Sequence, residues 1–199
     1  VVSLSAAALA MQYKNFGGDK YLKTAEMLFA YAKNHNKSVG TTSGSFYVSS
    51  NWEDDYCLAA LLLYQITGNT SYLSEYNQYK NADAAMKPYW PLGWDNVGPA
   101  VAYYDGNSSK IASLMGISDG NSTYGGYRCV SNWGSARYNT SMQYTGLLYD
   151  KMTSIETYRG WSEGQMKYLL GNNAAKQCFV IGYNAYGPKY PHHRAASGY

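Results

Sequence analysis

Charge is scarce in this chain: Asp, Glu, Lys and Arg make up 15% of its 199 residues, and the formal net charge is only +3. Without a basic stripe there is nothing to neutralise a row of phosphates, and this excludes nucleic acid as the natural partner. Cysteine is nearly absent as well. Cys57, Cys129 and Cys178 cannot all pair within one chain, and no disulfide framework follows from them. No apolar run approaches the ~18 residues that a membrane-spanning helix requires, and no charged-then-apolar leader precedes the first helix. The chain therefore reads as soluble, with no membrane partner and with any leader already removed. Sustained alternation of apolar and polar residues, the mark of a half-buried strand, is also missing.

Flat rings bearing a polar edge are abundant. Aromatic residues reach 16%, with 23 tyrosines and five tryptophans. Such rings suit an uncharged, hydroxyl-rich ligand, whose apolar faces stack on them while its hydroxyls seek hydrogen bonds. For any single tyrosine the plainer role is to fill a helical core with its hydroxyl at the rim.

Apolar spacing predicts helices over 1–13, 21–34, 52–66, 71–80, 96–104, 133–151 and 161–170, punctuated by Gly, Asn and Pro. Gly17-Gly18 separates the first two, and Thr67-Gly68-Asn69 closes the third with a left-handed glycine cap. Asp119 to Tyr127 reads as a glycine-rich turn. Short connections make successive helices antiparallel, so an all-α domain of helical hairpins is expected.

Two blocks carry chemistry. Tyr190-Pro191-His192-His193-Arg194 sets two imidazoles and a guanidinium on a segment that Pro191 keeps extended, a combination that reads anions or clustered hydroxyls. The competing role is a surface loop whose histidines only hydrogen-bond backbone. In Ser50-Asn51-Trp52-Glu53-Asp54-Asp55, three successive acids open a helix. Acids there are favoured by the helix dipole, by about 0.3–1 kcal/mol each, which accounts for them without a ligand. Their mutual repulsion would equally be relieved by one hard cation. Calcium takes six to eight oxygens at ~2.3–2.6 Å, and Ser50, Asn51, Asp54 and Asp55 offer such oxygens within one turn.

The order Tyr168-Leu169-Leu170-Gly171-Asn172-Asn173, Phe179-Val180-Ile181-Gly182-Tyr183, then Pro188-Lys189-Tyr190-Pro191-His192-His193-Arg194 resembles glycoside hydrolase family 9, whose members are mostly cellulases. The departure lies at Asn184 to Tyr186, where a Gly-Asn-Lys-like run is usual. The resemblance implies an (α/α)6 barrel of antiparallel hairpins, of which this chain supplies about half. Residues 1–199 would then be a partial catalytic domain whose partner is the remainder of the parent domain. It also implies a secreted enzyme that hydrolyses internal β-1,4-glucosidic bonds of cellulose or a related glucan with inversion.

By resemblance, His192 and Arg194 position the sugar at the cleavage subsite, and Tyr47, Trp90, Trp133 and His193 bind substrate. Trp94-Asp95-Asn96 is similar to the family's Trp-Asp-Asp element, which adds Asp95 to Ser50, Asn51, Asp54 and Asp55 as holders of a structural Ca2+. Asp55 stands where the family has Glu, and the preceding loop is one residue shorter. Inverting glycosidases need an acid and a base ~6.5–9.5 Å apart. The family's base precedes this region and its acid follows it. Asp54 and Asp55 diverge around a helix, and Glu26, Glu75, Glu156 and Glu163 sit in ordinary helical sequence where solvated acids are expected, so no general acid or base is assigned here. The alternatives are a non-catalytic glucan-binding protein, or a helical-barrel polysaccharide lyase; the lyase would not carry the Trp94-Asp95 element.

Overall fold

The computed structural model describes residues 1–35, 49–82, 90–117 and 125–190. The described residues hold helices and no strand; Gly93 and Asn96 form an isolated bridge. The chain divides into two compact units, Val1–Leu114 and Met115–Tyr199.

The first unit contains α1 (Val2–Phe16), α2 (Asp19–Asn34), α3 (Glu53–Thr67), α4 (Thr70–Tyr79) and α5 (Gly98–Tyr104). The helix α6 (Ser108–Ile117) follows. Small residues on α1 bring backbones together: Ala6, Ala7 and Ala10 are buried, and α1 packs on both α2 and α3. Positive φ at Gly17 (73°) and Gly18 (94°) lets the chain reverse between α1 and α2.

Helix α3 is the centre of this unit. Every residue from Tyr56 to Leu63 is buried, so the helix is apolar all round and not on the single face that its leucine spacing suggests. Removing one such leucine from water contributes on the order of 2 kcal/mol. Phe29 of α2 stacks on Tyr56 with ring centroids 4.7 Å apart. The Tyr56 hydroxyl donates to Glu75 at 2.7 Å, and Lys33 pairs with the other Glu75 oxygen at 2.7 Å. Glu75 is thus a half-buried tie between α2, α3 and α4, contrary to the solvated role expected of it.

Helix boundaries follow local chemistry. Gly68 takes the left-handed conformation (φ 71°) that ends α3. Asn69 caps α4 by accepting from the Ser71 amide at 3.0 Å. Helix α6 is not among those expected from the sequence. Asn107, in the Asp105-Gly106-Asn107 stretch after α5, opens it by accepting from the Lys110 amide at 3.2 Å.

The second unit is built on the hairpin of α7 (Ser135–Thr153) and α8 (Arg159–Leu169). Asp150 holds the turn between them by accepting from the amides of Thr157 (2.9 Å) and Tyr158 (3.0 Å). Its interior is polar. Asn139, Gln143, Ser162, Gln165 and Arg128 are all buried. Trp161 is half-buried and lies under the Arg128 guanidinium at 5.5 Å.

Candidate functional site

The acids that open α3 have separate employments. Asp54 is 2% exposed; one carboxylate oxygen accepts from the Val97 amide at 2.8 Å and the other from the Asp55 amide at 2.9 Å. Burial pushes its carboxyl up to about 6, against the lowering effect of those amides. Glu53 turns back to accept from the Trp52 amide at 3.1 Å. Asp55 is raised by burial and by the neighbouring Asp95.

Asp95 arrives from a distant loop. Its two oxygens accept from the Ser50 amide at 2.9 Å and the Ser50 hydroxyl at 2.8 Å. Asn51 donates to the Ser50 hydroxyl at 3.4 Å. Ser50, Asn51, Asp55 and Asp95 therefore gather, while Asp54 is committed to backbone amides. Among the described residues no three acidic, imidazole or thiol side chains form a metal cluster. The donor set that remains, two mutually repelling carboxylates with hydroxyl and amide oxygens, has the hard-oxygen chemistry of a calcium site.

The loop that delivers Asp95 also carries the aromatic rings. From Gly93 to Asn96 the chain makes a tight turn closed by the Gly93 amide on the Asn96 carbonyl at 2.9 Å. Pro91 is fully buried and Leu92 packs on the core of the first unit, whereas Trp90 is 40% and Trp94 52% exposed. Indoles left half in water on an anchored loop can stack against a ligand without rearrangement. Asn96 ties the loop internally. Its amide donates to the Trp90 carbonyl at 3.1 Å and accepts from the Gly98 amide at 2.9 Å. Neither bond is legible in the sequence, where Asn96 reads as the first residue of a helix over 96–104.

In the second unit Trp133 precedes α7 instead of opening it, and 78% of it is exposed. Gly134, with φ 67°, separates it from the helix, and the Trp133 amide reaches the Ser131 hydroxyl at 3.4 Å. The turn after α8 is tied by Asn173, whose side chain donates to the carbonyls of Tyr168 (2.8 Å) and Gln177 (2.7 Å). Tyr47, His192, His193 and Arg194 lie outside the described residues. The glutamates considered for acid-base work have partners: Tyr72 donates to Glu26 at 3.3 Å, and Arg159 pairs with Glu156 at 2.7 Å and with Glu163 at 3.4 Å.

The model of the family described as Glycosyl hydrolase family 9 matches residues 1–199. Among curated proteins, the chain is 28% identical to endoglucanase B of Cellulomonas fimi over 100% of its own length and 22% of that protein. It is 30% identical to endoglucanase A of Fibrobacter succinogenes over 88% of its length and 43% of the relative. Among solved structures, the catalytic domain of CelT from Clostridium thermocellum matches with a TM-score of 0.90 and 34% identity, covering 100% of this chain and 49% of that one. The cellulase Cel9M of C. cellulolyticum in complex with cellobiose matches with a TM-score of 0.89 and 28% identity, over 100% of this chain and 50% of that one. The chain thus spans about half the length, or less, of these relatives. Its all-α class is that of their (α/α)6 barrels of helical hairpins.

Proposed function

The chain belongs to glycosyl hydrolase family 9, and from that premise we propose that the protein it represents is a secreted endo-β-1,4-glucanase acting on cellulose or a related β-glucan by inversion. The observation that carries this reading is the match of the whole chain, in sequence and in fold, to cellulases, one of them solved with cellobiose bound. The chain supplies part of the binding cleft. Trp90 and Trp133 stack pyranose rings, Tyr47 and His193 add contacts, and His192 and Arg194 hold the hydroxyls of the sugar at the cleaved bond. Hydrogen bonds that strengthen as charge develops on that sugar lower the barrier without moving a proton. The general acid and base come from other parts of the catalytic domain.

Calcium is proposed at Ser50, Asn51, Asp55 and Asp95. It would neutralise the two carboxylates and fasten the start of α3 to the Trp90–Asn96 loop. Asp54, given its backbone partners, is assigned to bracing that loop from beneath. The repulsion between Asp55 and Asp95 supports the site.

The test uses the full-length protein with carboxymethylcellulose and cello-oligosaccharides. Internal cleavage should lower viscosity faster than reducing ends accumulate, and proton NMR should show the α-anomer as the first product. Arg194→Ala should reduce kcat by about 10²-fold or more while leaving the unfolding temperature unchanged. Chelation should lower the unfolding temperature, and added Ca2+ should restore it. Binding of cello-oligosaccharides without cleavage would replace the hydrolase with a glucan-binding protein; absence of both would end the reading.

A further inference from the structure

We propose that Gln177 is a positioning residue for the segment that leads through Tyr186 and Gly187 towards His192 and Arg194. The proposal rests on the role given above to Arg194 and adds to it the bond that fixes the approach to that residue. The Gln177 side-chain amide donates to the Cys178 carbonyl at 2.9 Å and, nine residues along, to the Tyr186 carbonyl. Tyr186 ends the run Asn184 to Tyr186, in which this chain departs from the family's usual sequence, so the anchor falls where the chain differs.

The chemistry selects glutamine. Both partners are backbone carbonyls, which only accept, so the nitrogen of the Gln177 amide faces them and both of its hydrogens are used. Asparagine brings its amide one methylene short, ionised glutamate has no hydrogen to give, and methionine has the length without the donor. Gln177 is itself held on both sides by Asn173, whose side chain accepts from the Gln177 amide at 3.2 Å and donates to the Gln177 carbonyl at 2.7 Å. Asn173 is 8% exposed and donates also to the Tyr168 carbonyl at 2.8 Å, in the last turn of α8. Two side-chain amides in series thus refer the Tyr186 carbonyl to the end of a helix.

Past that carbonyl the restraint is passed on. The Tyr186 amide donates to the Asn184 side chain at 2.9 Å, and the Gly187 amide reaches the Asn184 carbonyl at 3.3 Å. Gly187 lies so close to the preceding turn that a Cβ on it would stand 2.9 Å from the Val180 carbonyl oxygen. Two prolines, Pro188 and Pro191, separate Gly187 from His192 in the sequence, and a proline ring fixes φ. A displacement of the approach is therefore transmitted to the side chains that follow it, where an error of about 1 Å can lower a rate by about 10²-fold.

The experiment compares full-length wild type, Gln177→Met, Arg194→Ala and the double variant on cellohexaose. Gln177→Met keeps the length of the side chain and removes its donors; kcat should fall about tenfold with KM within about twofold, while thermal unfolding stays near wild type. In the Arg194→Ala background the same substitution should add no further loss, since a guanidinium that is absent needs no positioning. Gln177→Glu serves should Gln177→Met fail to fold. Ionised, that glutamate has no donor; protonated, it regains one for the Tyr186 carbonyl, so its kcat relative to wild type at the same pH should recover as pH falls through its carboxyl pKa. A ratio that stays flat with pH overturns the proposal. If Arg194→Ala lowers kcat and neither Gln177 variant does, the positioning role is overturned and the glucanase reading stands. Losses that multiply in the double variant, or a loss of kcat that only tracks a fall in unfolding temperature, make Gln177 merely structural and overturn it too. If Arg194→Ala itself leaves kcat unmoved, the role of Arg194 falls and this proposal falls with it.

Discussion

Asn139 is entirely buried and spends its amide on three partners. It donates to the Arg128 carbonyl at 3.0 Å and to Gln165 at 2.8 Å, and accepts from Gln143 at 2.7 Å. Gln165 continues the chain by accepting from the Arg128 amide at 2.8 Å and donating to the Gly126 carbonyl at 2.8 Å. A buried polar group deprived of its partner costs roughly 1–3 kcal/mol, so such a network stabilises only while it is complete. Asn139→Leu should lower the stability of the protein by about 3 kcal/mol or more, read as a fall in urea midpoint with the m-value unchanged. Combined with Gln165→Leu it should show a coupling above about 0.5 kcal/mol in a double-mutant cycle, and additive losses would show that the two side chains do not act together. Asn139 heads a glycosylation sequon with Thr140 and Ser141, but no glycan reaches an asparagine with no exposed surface. Asn69 and Asn107 head sequons too, and both serve as helix caps.

At the level of helices, two glycines make opposite statements. A Cβ on Gly146 of α7 would lie 2.9 Å from the Tyr158 Cβ and 3.1 Å from the Met115 methyl, so the close approach of the chain to α7 depends on its having no side chain. Gly164 of α8 faces open space. Alanine gains about 1 kcal/mol of helix propensity at either place, whereas overpacking a filled interface costs about 1–3 kcal/mol, and the obstacle at Gly146 is a Cβ fixed to the backbone. Gly164→Ala should therefore raise the unfolding temperature and Gly146→Ala should lower it. Equal stabilisation by both in thermal denaturation would mean that α7 is not so closely packed. Element ends were legible wherever a single residue sets them, as with the glycine that stops α3. Helix α6 escaped the sequence reading because Asp105-Gly106-Asn107 carries the signature of a turn, and the cap of the next helix is hidden inside it.

On the scale of the molecule, the second unit ends in a stretch whose apolar side chains are left in water. Phe179, Val180, Ile181, Tyr183, Tyr186 and Tyr190 are all at least 40% exposed, although Cys178 beside them is fully buried. A contiguous exposed apolar run marks a surface meant to be covered. The chain also spans only about half of the catalytic domains it resembles. Expressed alone, the 199 residues should bind the dye ANS and self-associate in sedimentation experiments, and the full-length protein should do neither; a monodisperse, ANS-silent fragment would contradict this. The sequence by itself determined the all-α class and the family, because helical periodicity, glycine stops and an ordered set of short motifs are local properties of the chain. It also marked Trp90, Trp133 and the acids at the head of α3 as candidates. Only the tertiary structure decided what each candidate touches: Asp54 turns inward to the Val97 amide, Asp95 crosses 45 positions of sequence to reach Ser50, and Asn96 grips Trp90. Such partners are set by long-range packing, and no periodicity along the chain encodes which carbonyl a buried amide will find.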